Sequence, residues 1–386
     1  MAGAKAVEHF DVIVAGVGGM GSAACAHLAM RGKHVLGLER FDIPHAMGSS
    51  HGVSRIIRLA YYEDSGYVPL LLRAYELWRE LESGFGERLL HVTGSIDASA
   101  ADGEVFLGSL ESCRVHDLDH EVLTSGALTA RFPGYRLPAD YLALWQPEGG
   151  FLLSERAIVA HALLAMAHSA EIRARERVLA WQTIAAGVRV ETTKAVYEAE
   201  RLVISAGAWM GDLVPALAGV ARPERQVLGW FQPTAPPMFT PDHFPVFNLT
   251  VPEGRYYGFP VYGIPGFKVG RYHHLNEQID PEEWDREPND ADEAILRDFI
   301  AAYFPVGNGP VMSMRSCIFT NTPDEHFIVD TLRGSDSVIV ASPCSGHGFK
   351  FCSVMGEILA DLATEGETRH DIRLFSLDRF GAPAPS

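Results

Sequence analysis

Three glycines near the N-terminus have the spacing that lets a backbone approach a phosphate. They are Gly16, Gly18 and Gly21 in the run Gly16-Val17-Gly18-Gly19-Met20-Gly21, and an acid, Glu39, closes the next apolar segment. Gly16 allows a tight turn, Gly18 leaves room for a pyrophosphate, and Gly21 lets helix and strand pack closely. A helix starting there offers unpaired N–H groups and the positive end of its dipole. Glu39 can accept from ribose hydroxyls and disfavours a 2′-phosphate. The pattern predicts a dinucleotide site built from these residues, with Gly19, Met20 and Arg40 beside them. The motif itself does not separate NAD from FAD, but its N-terminal place favours FAD. The plainer alternative is a packing turn with a surface glutamate.

The elements that must position this site can be read around it. Phe10–Ala15 is a Val/Ile-rich strand, Ser22–Arg31 an Ala-rich helix ended by Gly32, and Lys33–Leu38 a second strand. Residues 12–30 are apolar enough to suggest a membrane span. Four glycines, His27 and the lack of a basic leader argue against one. Apolar periodicity predicts helices over 66–83 and 154–168, the second with Ser154 as N-cap. Short strands are predicted at 172–177, 178–184, 188–192, 195–200 and 201–205. Between 221 and 316 proline and aromatics are dense, which favours strands and turns, with one helix over 290–303. A buried strand at 338–341 leads into SGHGFK and a helix over 351–363.

Composition narrows the function classes. The 386 residues carry 32 Lys+Arg against 49 Asp+Glu, a net charge of −17, so nonspecific binding to nucleic acid or an anionic membrane is not expected. The five cysteines (25, 113, 317, 344 and 352) are odd in number, widely spaced and form no CxxC pair. That pattern predicts reduced thiols, a cytoplasmic location, no disulfide framework and no metal site. No GxSxG, HExxH or GxxxxGK[ST] run supports a hydrolase, zinc-protease or P-loop reading.

Three further blocks are more specific than the glycine motif: GSSHGVSRIIRLAY at 48–61, SCIFTNTPDEHFIVD at 316–330 and SGHGFKF at 345–351. Together with the N-terminal fingerprint, and in this order, they resemble the monomeric sarcosine oxidase and N-methyltryptophan oxidase family. The resemblance runs from about residue 9 to about residue 380. It implies a flavoprotein amine oxidase of the D-amino-acid-oxidase-like fold: an α/β, doubly wound FAD-binding domain plus a mixed, mostly antiparallel β-sheet substrate domain. On that reading the FAD-binding domain comprises 1–85, 150–220 and 322–386, and the substrate domain 86–149 and 221–321. A soluble monomer acting on a small secondary amino acid and molecular oxygen is implied.

The resemblance also assigns roles. Cys317 would be joined through sulfur to the flavin; apart from the resemblance, the charge of its sequence neighbour Arg315 would favour its thiolate, and Cys344, close to SGHG, is a competing thiol that is read as structural. Arg58 and Lys350 would hold the substrate carboxylate, for which a planar guanidinium is well suited. Lys268 would sit over the flavin and assist oxygen reduction, followed by a histidine for which His273 and His274 are candidates. His51 and Arg55 would lie against the ring, with Ser49 and Ser50 on the cofactor. Gly346, His347 and Gly348 would bring N–H groups to its pyrimidine end, next to Lys350. Tyr257 would be an active-site tyrosine and Phe319 a pocket wall. The plainer readings are a structural thiol for Cys317, a surface ion pair for Arg58, a surface hairpin lysine for Lys268 and core aromatics for Tyr257 and Phe319. Two arginines in the apolar run 55–58 in any case need anions nearby. The expected reaction is oxidative demethylation to amine, formaldehyde and hydrogen peroxide. Its rivals are a pipecolate-like oxidase, an FAD dehydrogenase serving a partner protein, a pyridine-nucleotide dehydrogenase and a non-catalytic flavin-binding protein.

Overall fold

The N-terminal Val/Ile run forms the strand Glu8–Ala15, whose last four residues are completely enclosed. A strand covered on both faces belongs in a parallel sheet. This one pairs in parallel with Val35–Leu38 and with Val196–Ile204. Glu171–Arg173 and Val338–Ser342 complete the parallel centre, and antiparallel strands extend it. The computed structural model describes residues 7–381; the ends of the first and last expected segments, 1–6 and 382–386, lie outside them.

Two strands predicted at 195–200 and 201–205 are one, Val196–Ile204. Its first half pairs with Gly187–Thr192 and its second half with Val338–Ser342. The change from polar to apolar sequence is therefore a change of neighbour, not a turn. The strand expected over 172–177 stops at Arg173, because Arg175 takes a positive φ and turns the chain. Ser154 is not a cap: Leu153 holds that position and Ser154 begins the helix, its hydroxyl donating to Glu155 at 2.7 Å.

Four helices, Gly19–Met30, Val68–Phe85, Ser154–Ala167 and Cys352–Thr364, pack on one another around Leu28, Leu71, Trp78, Ala157 and Ile358. The apolar 12–30 stretch is thus a strand end, a turn and a 12-residue helix. Among the described residues no helix is long and apolar enough to cross a membrane.

A second, eight-stranded sheet runs in the order Val311–Asn321, Arg222–Phe231, Phe267–Arg271, Gly254–Phe259, Val246–Val251, Ser95–Ala100, Tyr141–Gln146, Glu121–Thr124. All its pairings are antiparallel except that of Val246–Val251 with Ser95–Ala100. The helix Asp290–Tyr303, begun by a capping box at Asn289, lays Leu296, Phe299 and Ile300 on this sheet. A small third sheet pairs Ser54–Ile57 and Leu90–Val92 with Gly150–Leu153.

Candidate active site

Two cavities meet at Arg55, Phe319, Gly346 and Phe349. The larger is a cleft of about 1440 Å³, counting its open mouth; the smaller is a chamber of about 440 Å³ on the same measure. The first accommodates a long molecule and the second something about a third its size.

The cleft starts at the predicted turn. Gly16, Gly18, Gly19 and Met20 line it. A Cβ on Gly21 would fall 1.7 Å from the Gly16 carbonyl oxygen, so only glycine lets the helix begin this close to the strand. A Cβ on Gly18 would meet nothing within 4 Å, which leaves the backbone open towards the cleft. The helix Gly19–Met30 has no side chain capping its N-terminus. Glu39 closes the second strand and accepts from the N–H groups of Val17 and Phe41, both at 2.9 Å. Burial would raise its pKa, but His45 and these two N–H groups bring it below the ordinary value. Arg40 forms the rim, paired with Glu282 and lying over the rings of Phe41 and Trp209.

Ser49, Ser50, Gly346 and Gly348 line the same cleft. Ser49 Oγ is buried without a partner, and so are both ring nitrogens of the neighbouring His51. Orphaned polar atoms beside an open glycine turn fit a dinucleotide with a polar ring system. Burial, then Arg55, pulls the His51 pKa down to about 3, so its ring is neutral.

Cys317 is buried behind this wall. Its Sγ lies 3.5 Å from Arg55 Nη2 and 3.7 Å from the Ser49 carbonyl. The guanidinium at the thiol is therefore Arg55; Arg315, expected there, is exposed, with its guanidinium over Trp230. Lys268 is not a surface hairpin residue: it lies on the strand Phe267–Arg271 and is 1 % exposed. Its Nζ donates to the carbonyls of Gly52 (2.8 Å) and Ser54 (2.7 Å) and reaches Ser54 Oγ at 3.4 Å. Three acceptors suit an ammonium. Burial and then Arg55 push its pKa well below the usual lysine value, so that proton is held weakly. The Gly52–Ser54 turn is fixed from the other side by Glu155, whose carboxylate accepts from the N–H groups of Gly52 (2.7 Å) and Val53 (3.1 Å).

The chamber holds Arg58, His347 and Lys350 at its polar end and Ile56, Tyr257, Tyr272, Phe259 and Phe319 among its apolar walls. Arg58 is 1 % exposed, so it is no surface ion pair. Its Nη1 donates to the Ala60 carbonyl, its Nη2 donates to Glu63 at 2.8 and 3.1 Å, and its Nε lies 3.7 Å from Asp97 Oδ1. Glu63 and Asp97 are the anions that the arginine-rich run required, and no motif marks either of them. Burial alone would raise the Glu63 pKa, but Arg58, helped by His347 and Lys350, holds it at about 2. Lys350 Nζ donates to the His347 carbonyl at 2.6 Å, and burial together with Arg58 lowers its pKa to about 7. It stands in a short 3-10 turn before the Cys352–Thr364 helix, not in the helix itself.

His347 is pinned as a neutral ring. The Tyr61 hydroxyl bonds its Nδ1, and its Nε2 donates to the Glu325 carbonyl at 3.0 Å. Burial keeps its pKa near 4. Gly346 beside it has φ +77, and a Cβ there would lie 2.5 Å from the Phe319 ring. Neither histidine expected after Lys268 reaches the chamber. His273 bridges Glu224 and Glu325, and His274 bonds Asp292; Tyr272 supplies the wall instead. Tyr272 follows the last residue of the strand, Arg271, and sets its ring against Tyr257 and Phe319, with centroids 5.1 and 5.7 Å away.

Residues 11–362 match the family described as FAD dependent oxidoreductase. The chain is 42 % identical over 376 residues to a monomeric sarcosine oxidase of Bacillus sp. (strain NS-129), covering 96 % of this chain and 97 % of that one. It is 36 % identical over 377 residues to an N-methyl-L-tryptophan oxidase of Citrobacter koseri, covering 96 % and 99 %. The structure of NikD, described as an unusual amino acid oxidase essential for nikkomycin biosynthesis, superposes with a TM-score of 0.83 at 27 % identity, covering 96 % and 98 %. The chain belongs to this family of FAD-dependent amine oxidases.

Proposed function

We propose that this family member oxidises secondary amino acids, sarcosine or another N-methyl amino acid, with oxygen and water to the demethylated amine, formaldehyde and hydrogen peroxide. The observation that carries the reading is the buried Arg58–Lys350 pair in an aromatic chamber that opens onto a dinucleotide cleft at Arg55 and Phe319. The names of the sarcosine and N-methyltryptophan oxidases agree with it.

Bound FAD supplies the hydride acceptor and, on reoxidation, the route to peroxide. The rest falls to the chain. Arg58 and Lys350 hold the carboxylate, which orients the amine end towards the mouth shared with the cleft. Because Arg58 is engaged by Glu63, an incoming carboxylate must displace or share that partner. No described side chain in the chamber stands free as a general base for the amine: His347 has both nitrogens committed, burial raises the Tyr257 pKa further, and Lys350 is held on the His347 carbonyl at the carboxylate end. The amine therefore reacts in its neutral form, favoured by the cations around it. Lys268, one wall away, would bring an ammonium with a weakly held proton to where oxygen is reduced. Cys317, beside the Arg55 guanidinium, would tether the ring, and Ser49, Ser50, His51 and the 346–348 backbone would hold it.

The test is anaerobic mixing of purified holoprotein with a panel of N-methyl and cyclic secondary amino acids. Bleaching of the flavin absorbance, followed by stoichiometric peroxide on admitting air, is expected. Bleaching without reoxidation in air would make it a dehydrogenase, and no bleaching with any member would overturn the reading.

A further inference from the structure

One polar group in the chamber wall has no part in the scheme above. Asn248 lines the chamber and is 2 % exposed. The parallel pairing of Val246–Val251 with Ser95–Ala100 sets it directly beside Asp97, which is 0 % exposed. Asn248 Nδ2 donates to Asp97 Oδ1 at 2.8 Å, Ser109 Oγ donates to Asp97 Oδ2 at 3.0 Å, and Arg58 Nε lies 3.7 Å from Oδ1. Both carboxylate oxygens thus face donors. A carboxylate acting as acceptor fixes the neighbouring amide with its nitrogen inward and its oxygen turned away. No described residue donates to Asn248 Oδ1. A carbonyl oxygen in a cavity wall without a donor is an acceptor open to a ligand.

Its position says which part of a ligand. Asn248 and Arg58 share the same oxygen of Asp97, so they are neighbours, and neither lies at the mouth shared with the cleft. A carboxylate on Arg58, with its amine directed to that mouth, leaves the substituent on Cα to face Asn248. We propose that Asn248, oriented by Asp97, is a specificity-determining residue whose amide oxygen accepts a hydrogen bond from an O–H or N–H on the substrate's Cα side chain. The enzyme then prefers polar secondary amino acids to isosteres that lack the donor. This inference rests on the reading of the chamber as the carboxylate site.

The test compares ligands that differ by one O–H for one CH₃. The non-oxidisable pair 3-hydroxypropionate and butyrate is titrated calorimetrically into the holoprotein. The oxidisable pair N-methylserine and N-methyl-2-aminobutyrate is compared by kcat/KM. The hydroxyl member should lead by about tenfold or more in both pairs, the worth of one buried hydrogen bond. In Asn248→Leu the lead should shrink to within about twofold, as befits an apolar side chain of similar size. Asp97→Asn, which frees the amide to turn over, should also reduce it. Because each readout is a ratio, a partly unfolded variant does not blur it. Equal binding of the two acids by the unaltered protein, or a lead that survives Asn248→Leu, would overturn the proposal. Should neither N-methyl amino acid be oxidised, the calorimetric ratio still decides this proposal, and the oxidase reading is decided separately by the wider panel.

Discussion

Replacing Glu63 by glutamine should make the chamber bind carboxylates more tightly while making the protein less stable. Glu63 meets Arg58 through one amino group, Nη2, at 2.8 and 3.1 Å. Glutamine keeps an oxygen there but loses the charge. The difference between a charge-assisted and a neutral hydrogen bond is about 1–2 kcal/mol. An incoming carboxylate would compete against that much less, a gain of about 5–30-fold in Kd. The stability change has the opposite sign. The Glu63 carboxyl sits at about 2 against an ordinary 4.5, a gap corresponding to about 3 kcal/mol. Its folded pKa is depressed, so the contribution is fully present above about 4.5 and fades as pH falls towards about 2. The variant should therefore unfold at lower denaturant concentration at pH 7, with the gap closing in acid. Calorimetric titration with propionate at pH 6 reads the first effect, and urea unfolding at pH 7 and pH 3.5 reads the second. A folded Glu63→Gln protein that binds propionate more than about threefold more weakly than the parent would refute the competition argument.

Other consequences are checked more simply. Lys350 titrates at about 7, so propionate affinity should fall as pH rises through neutrality. Lys350→Met should flatten that profile and weaken binding by about tenfold or more. Cys317→Ser should release yellow colour into the supernatant after acid precipitation, whereas the parent should keep it in the pellet. Lys268→Met should slow reoxidation of the reduced protein by oxygen by about 10–100-fold in stopped flow, with propionate binding changed far less. Gly346→Ala forces a Cβ against Phe319 at a positive φ, and should lower stability by about 1–3 kcal/mol in urea unfolding.

The sequence exposed whatever is written locally. The glycine turn, the helix at 290–303 and the buried strands at 10–15 and 338–341 follow from period and residue type over a few positions. The clustering of Arg58 with Lys350 came only from family resemblance, because tertiary packing joins the pair. Asp97 and Asn248 were invisible for the same reason: a parallel register across two strands brings them together, and neither segment carries a motif. Glu63 was half visible, since the arginines demanded an anion without naming it. Arg315 is near Cys317 in sequence, but tertiary packing brings Arg55 to the thiol instead. The misplaced cap at Ser154 has a similar origin, as its hydroxyl found the Glu155 carboxylate before the helix N–H groups.

Arg55 and Cys317 touch across 262 positions of chain, and the walls they share with Gly346 and Phe349 draw on segments from both ends of the polypeptide. A chain emerging from the ribosome thus makes its glycine turn early but has nowhere to seat the reactive ring until its final third has been synthesised and has closed back. The seat for the ring is accordingly complete only when Phe319, Gly346 and Phe349 have packed against the glycine turn. Loss of the segment 317–350 would remove walls of the cleft and of the chamber at one stroke.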